Sequence, residues 1–364
     1  MFKNLKLWQK ISLTISILLI IGLAIILIIA INDSRKNTTE NMENRLMEMA
    51  DSRATVFKDY CDDYIQYELG ITGFTSVKNV LENPDNKSYV SVAQNDITAA
   101  KEMFEALEGL LIMDKDSLIL CHSNTGAIGS TIYTDERLSI LEMINEGVES
   151  SDDNVYVRGI TVSSSTGDLV FNAYAGVYDS NKLIGYVSGG FYVSYLKDII
   201  DNMAVEGLEG TETYVINLSD NTYVMCEDEE MLSTEVTDSA HLAAIEACEN
   251  DVTGTVKNAK GADGQTYFLA YDKLSDYNFL FIVSNPQSEV YESINAMSAK
   301  LAGLIIAILV ILLFVTIFIS RSVTGHISRV GRIVYNISDT MDMTLADELK
   351  SYTDRKDEVG DVAK

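Results

Sequence analysis

Few residues of this chain stand at spacings that support bond-making chemistry. The paired acids, Asp114 with Asp116, Asp152 with Asp153 and the run Glu227 to Glu230, fall in stretches that read as turns, where carboxylates are solvated rather than poised as acid and base. The last run could offer a weak calcium contact, but it lacks the Asp/Asn alternation and the glycine of an EF-hand loop. Cys61, Cys121, Cys226 and Cys248 show no C-x-x-C spacing, and His122, His241 and His326 are isolated, so neither a metal site nor a redox site is expected. No nucleophile elbow, phosphate-binding loop or kinase signature occurs, so no cofactor and no enzymatic activity are expected of these residues. Binding chemistry is better represented. Arg158 is the one cation in three strand-like runs, Val155 to Ser163, Leu169 to Val177 and Leu183 to Val193, and a forked guanidinium suits a carboxylate or another oxyanion. A place on the exposed sheet, or an ion pair with Asp179 or Asp198, suits Arg158 equally.

The elements that must position such residues lie between two apolar runs. Ile11 to Ile31 is uncharged throughout, enough to cross a hydrocarbon layer of roughly 30 Å as a helix, and Leu301 to Ser320 is a second such run. The first is too long for the core of a signal peptide and has no clean cleavage site after it. Lys3, Lys6 and Lys10 precede the first run, and Arg321, Arg329 and Arg332 follow the second, which predicts a two-pass protein of the cell membrane with both ends cytoplasmic. Residues 1–10 are then the cytoplasmic start, 11–31 and 301–320 the spans, and 32–300 the exterior. The formal charge of −27 sits on that exterior, since residues 32–320 carry 46 Asp and Glu against 17 Lys and Arg. So acidic a surface argues against nucleic acid as a partner and serves solubility.

Within the exterior, Met42, Leu46, Met49, Val56, Tyr60, Tyr64, Tyr67 and Ile71 keep a mostly 3-4 spacing, which predicts one long helix over 33–72. A pattern then occurs twice. Gly109 to Asn124 and Thr213 to Glu229 each read as a hairpin, with turns at Asp114 to Asp116 and Ser219 to Asn221. Each is followed by a helix-like stretch, Asp135 to Gly147 and Ser239 to Glu249, and then by three strands. In the second copy the strands are Gly254 to Asn258, Thr266 to Lys273 and Phe279 to Ser284; Tyr195 to Met203 reads as a connecting helix. The fold class is α+β, two five-stranded antiparallel sheets with flanking helices. No element is assigned between residues 73 and 108.

The long helix, the two successive sheets, "STGDLVFNAYAGVYDSNKLIGYVSGG" (Ser165 to Gly190) and "ADGQTYFLAYDKLSDYNFLFIVSNPQSEV" (Ala262 to Val290) resemble the double Cache domain of bacterial sensor receptors, two PAS-like modules between membrane helices. On that resemblance 73–204 is the membrane-distal module and 205–298 the proximal one. Beyond Arg321, Ile327, Val330, Val334, Ile337 and Met341 recur at 3-4 spacing as a helical seam, and Asp357, Glu358 and Gly360 are similar to the D-E-x-G element of a HAMP module's second helix. Residues 321–364 are then a partial HAMP coiled coil, with His326 where the family usually has proline, and an output module is expected after Lys364.

The resemblance also implies where a ligand sits, between the three later strands of the distal module and their covering loops. The amino-acid-sensing members carry an Arg-x-Trp-Tyr element ahead of these strands, a Tyr and an Asp in the next, and a later Asp. Between Thr131 and Asn154 no Arg-x-Trp-Tyr occurs, the Tyr and Asp positions fall on Thr161 and Ser163, and the later Asp position falls on Phe191. A desolvated ammonium group needs acceptors these do not supply, so a small neutral or anionic ligand is expected rather than an α-amino acid. Tyr156, Arg158, Asn172, Tyr174, Ser188 and Tyr192 complete the candidate set, although Tyr156 and Tyr174 suit the core equally. Strict alternation places Tyr156 and Arg158 on the face opposite Thr161 and Ser163 unless a bulge intervenes. The expectation is a homodimeric chemoreceptor resembling methyl-accepting chemotaxis proteins, acting on cytoplasmic signalling proteins. The alternatives are a histidine kinase or diguanylate cyclase with the same sensor, or a membrane-anchored adhesion or partner-docking protein.

Overall fold

The structure, a computed structural model, describes residues 7–134, 137–163, 166–203, 210–340 and 346–354. The chain forms two compact units, one from its two ends, up to Thr39 and from Tyr291, and the other from Glu40–Val290.

In the first unit, helices α1 (Leu7–Thr72) and α7 (Gln287–Thr340) each contain a window long and apolar enough to cross a membrane, with none of it buried. The expected spans 11–31 and 301–320 lie inside these helices. Arg35 donates to Asn295 Oδ1 at 3.2 Å and lies over the Tyr291 ring, whose hydroxyl is 3.1 Å from that of Thr39. Near the other end Val330 is fully buried, with Ile327 and with Leu349 and Tyr352 of α8 (Ala346–Thr353) packed against it, while Val334 is 47% exposed. Met341 of the expected seam, and Asp357, Glu358 and Gly360, lie outside the described residues.

The second unit repeats one sheet. Strands β1 (Leu107–Asp114), β2 (Ile119–His122), β3 (Val155–Val162), β4 (Leu169–Asp179) and β5 (Lys182–Tyr192) pair in the order β2-β1-β5-β4-β3. Strands β6 (Glu212–Asn217), β7 (Thr222–Met225), β8 (Thr253–Lys260), β9 (Thr266–Leu274) and β10 (Phe279–Pro286) pair as β7-β6-β10-β9-β8. Helix α4 (Leu138–Ser150) stands between the hairpin and later strands of the first copy, α6 (Ser239–Ala247) in the second, and α5 (Val193–Asp201) joins the copies. The expected hairpins, helices and strands are all present, shifted at their ends by a few residues. Ser117 and Asn221 take the positive φ angles, 66° and 55°, that let the two hairpins turn. Where no element was assigned, α2 (Thr75–Glu82) and α3 (Lys87–Met103) form, separated by Asn83, Pro84 and Asp85 and started by Asn86, whose side chain accepts from the Ser88 N–H.

Both sheets pack on one stripe of α1. Phe57 meets Phe279 and Phe281 of the second sheet at 5.5 and 5.2 Å between ring centroids, and Tyr64 meets Phe171 and Phe191 of the first at 6.1 and 5.1 Å. The stripe runs through Leu46, Phe57, Cys61, Tyr64 and Ile71, so Val56 and Tyr60 lie on its flank and are only half-buried. Each such aromatic contributes about 1.5 to 3 kcal/mol through burial, and each pair about 0.5 to 1.5 more through ring geometry. The four cysteines are buried and free.

One member of the stripe is polar. Glu68 is fully buried; Tyr64 Oη donates to its Oε1, and Oε2 has no partner among the described residues. Burial pushes its carboxyl well above the ordinary carboxylate value, against the opposing bonds from Tyr64 and the Gly189 N–H. The folded chain therefore holds a proton that the unfolded chain releases, and this contribution to stability is full below pH 4.5 and lost as pH rises toward the folded value. Glu68→Gln cannot ionise. Thermal unfolding of this variant is expected to lose less stability than the native chain between about pH 5 and 8; identical slopes would show that Glu68 does not titrate on unfolding.

Candidate functional site

The outer face of the first sheet carries a cleft of about 330 Å³. Its floor comes from β3, β4 and β5 and its rim from the segment between β2 and α4. The residue that decides its chemistry, Arg158, reaches it through a backbone irregularity. The β3–β4 register shifts between Val157 and Gly159, so that Val157 pairs with Ala173 and Gly159 with Asn172, and Arg158 is the extra residue. Gly159 takes φ +82°, which a side chain would strain. The bulge cancels the alternation that separates Arg158 from Thr161 and Ser163, and all three line the cleft.

The guanidinium is held by aromatic rings. Arg158 Nη1 donates to Tyr133 Oη at 3.2 Å, and its carbon lies 5.9 Å from the centre of the Tyr133 ring. Arg137 lies 5.3 Å from the same ring centre, so two cations share one tyrosine. Tyr133 is 1% exposed and is fixed by its own N–H, which donates to Ser117 Oγ at 3.1 Å, and by a short hydroxyl contact with Tyr174. Burial, and then the neighbouring Tyr133, push the Tyr174 phenol well up, against the pull of Arg158, so it stays a neutral donor. No ion pair between Arg158 and Asp179, Asp198 or another carboxylate occurs among the described residues.

The remaining groups are neutral or engaged. Asn172 Nδ2 donates to Thr161 Oγ1 at 2.7 Å, Ser188 Oγ to the Ala173 carbonyl at 2.7 Å, and Ser163 Oγ to Glu108 Oε1 at 2.9 Å. Burial lowers the His122 pKa, and its Nδ1 accepts from the Asn124 N–H, so it is a neutral wall. Gly190 keeps the floor open: a Cβ there would lie 3.1 Å from Asn172 Oδ1 and from Val170. Among the described residues the charges lining the cleft are thus Arg137 and Arg158 against Glu108, in a chain whose formal charge is −27.

Of the nine expected residues the structure brings six to this cleft, Arg158, Thr161, Ser163, Asn172, Tyr174 and Ser188. Phe191 is not among them. It pairs with Phe171 on the opposite face and is fully buried against α1, as alternation from Ser188 requires. Tyr156 packs beside α4, where a Cβ on Gly147 would collide with its ring, and Tyr192 stands at the start of α5, half-buried. Tyr133, Arg137 and Glu108 were missed. Arg137 stands between Thr131 and Asn154, but Ser139 and Ile140 follow it where an Arg-x-Trp-Tyr element has its two aromatics.

Comparison with known proteins agrees with this architecture. The Cache domain family profile (dCache_1) matches residues 31–294. A search of curated protein sequences returned no match. Among solved structures, the V. cholerae histidine kinase DctB sensor domain superposes with a TM-score of 0.53 at 12% identity, covering 68% of this chain and 98% of that one. The sensory domain of the Campylobacter jejuni chemoreceptor Tlp3, solved with isoleucine bound, gives 0.52 at 10% identity over 70% and 97%. A domain of a sensory box/GGDEF family protein from Vibrio parahaemolyticus gives 0.52 at 10% identity over 70% and 99%. At such identities the likeness is one of fold. With the family profile spanning most of its length, and two helices long and apolar enough to cross a membrane flanking the matched sheets, the chain belongs to the Cache domain family of sensor proteins.

Proposed function

We propose that this chain is the sensory part of a transmembrane receptor that takes a small anion, preferably a carboxylate, into the cleft over its first sheet. The observation that carries this reading is the pair of guanidiniums, Arg158 and Arg137, held over one Tyr133 ring at the mouth of a cleft whose only other lining charge among the described residues is Glu108. Two forked donors at one site match the two oxygens of a carboxylate, and the Tyr133–Tyr174 hydroxyl pair adds neutral donors. The single carboxylate lining the cleft among the described residues already accepts from Ser163, which leaves little to replace the water of an ammonium group. The isoleucine-bound chemoreceptor domain therefore shares the fold with this chain and, on this reading, not the ligand class.

Occupancy of the cleft would bias the second sheet through the core that both sheets share, where Phe171 of β4 meets Tyr277 at 5.5 Å. A coupling of about 1 to 3 kcal/mol suffices for a two-state switch. We read the receptor as a homodimer of the chemoreceptor type, with a HAMP module after α7 and no catalysis of its own. A histidine kinase or a GGDEF output is the second reading, supported by the likeness to the sensor domains of both.

Two outcomes are expected. In calorimetry on the purified chain in detergent, a small mono- or dicarboxylate should bind and zwitterionic L-amino acids should not. Arg158→Ala should cost about 1.5 to 3 kcal/mol, roughly a ten- to hundredfold loss, with the melting curve unchanged. Micromolar binding of ordinary L-amino acids, or full carboxylate affinity in the variant, would refute the assignment. For topology, Ser219→Cys and Asp354→Cys place thiols at exposed or terminal positions while the native cysteines are at most 4% exposed. An impermeant maleimide applied to intact cells should label Ser219→Cys alone; labelling of both from outside would end the two-pass arrangement.

A further inference from the structure

The second sheet has a cavity of its own, of about 270 Å³, between β9, β10, the start of α6 and the turn at Gly261 to Asp263. It occupies the same place on its sheet as the first cleft, and its chemistry is opposite. Tyr214, Tyr223, Tyr267 and His241 wall it; the Tyr214 ring lies 4.2 Å from the His241 ring and 6.0 Å from that of Tyr223, between centroids. Asp238 and Asp263 are the charged residues lining it, and no lysine or arginine does so among the described residues.

These carboxylates are fixed in place. Asp238 accepts from the N–H groups of Ala240, His241 and Ala262, and Asp263 accepts from the Gln265 N–H and from Tyr267 Oη at 2.9 Å. Donors of this kind favour the ionised form, and the Gln265 N–H accordingly holds the Asp263 carboxyl below its ordinary value. Burial lowers the His241 pKa and Tyr223 Oη is 2.8 Å from its Nδ1, so this ring adds an aromatic face rather than a positive charge at neutral pH.

A polar residue of the sheet also faces the cavity. Ser284 is 3% exposed and lies in register with Glu212 on one side and Leu269 on the other, on the face that lines the cavity. Its hydroxyl is therefore placed to exchange a hydrogen bond with an occupant of the cavity.

We propose that this cavity is a second ligand site, for a small alkylammonium ion that also carries a hydrogen-bonding group. The tyrosine faces supply cation–π attraction, Asp238 and Asp263 supply the counter-charge, and Ser284 takes the hydrogen bond. The site shares no lining residue with the first cleft, and the two would read ligands of opposite charge on the two halves of one sensor.

Choline and its uncharged carbon isostere are the probes, titrated calorimetrically into the purified full chain in detergent. Choline should bind saturably, at least about tenfold more tightly than the isostere, and with the first cleft saturated by a carboxylate it should still bind, its affinity moved by a fixed coupling factor that does not grow as more carboxylate is added. Asp263→Asn should weaken it about five- to tenfold, and Ser284→Leu, which fills the cavity, should abolish it. Asp263 lies on an exposed turn and Asn retains the acceptor for the Gln265 N–H, so this variant decides even if Ser284→Leu does not fold. Absence of saturable choline binding, equal binding of the isostere, displacement by the carboxylate, or full affinity in Asp263→Asn would each overturn the site.

Discussion

Both sensor sheets depend on one helix. An antiparallel sheet of five strands must bury one face, and here the two sheets bury theirs against consecutive turns of the same α1 stripe, Phe57 serving the second sheet and Tyr64 the first. Everything else follows from which residues that contact consumes. Phe171 and Phe191 face α1, so Asn172, Tyr174, Ser188 and Gly190 must face outward, and the outward face of the first sheet is where the cleft lies. The same stripe makes the two modules one core, since Phe171 and Tyr277 touch within the cluster that holds Phe57 and Phe281. A sheet displaced on α1 cannot leave its neighbour unaffected, which is the physical requirement for a signal to pass between them.

Much of this was legible because it rests on period and turn chemistry. Apolar runs split by Asp, Asn and Ser turns located all ten strands, and the repeat of that pattern showed two sheets. What was hidden has particular causes. Helices α2 and α3 bury small or widely spaced residues, Val77, Val80, Ala93, Ile97 and Ala100, among polar ones, too thin a stripe to separate from a loop. The long-helix stripe was displaced onto Val56 and Tyr60 because Cys61 and Glu68 do not look like core residues, and Glu68 is buried nonetheless. In the site, strict alternation put Arg158 on the wrong face; the sign of the bulge was Gly159 itself, a glycine in the middle of a strand. Arg137 and Tyr133 belong to the rim between β2 and α4, where no period constrains direction and only tertiary packing brings the side chains to Arg158.

Charge is distributed against the grain of the molecule. The surface is strongly acidic, yet two of its few arginines are gathered over one tyrosine on the first sheet, while the corresponding cavity of the second sheet is lined by aspartates and tyrosines. Two guanidiniums gathered at one ring repel each other. Here the Tyr133 ring and hydroxyl stabilise them without neutralising the charge, which leaves the guanidiniums available to a ligand.

The most direct test of the account is a crystal structure of the sensor with a small carboxylate bound. The account predicts the carboxylate oxygens within about 2.7 to 3.2 Å of guanidinium nitrogens of Arg158 and Arg137, with the ligand over the Tyr133 ring and beside Asn172. A ligand bound elsewhere, with Arg158 still turned to Tyr133 and touching nothing else, would contradict it.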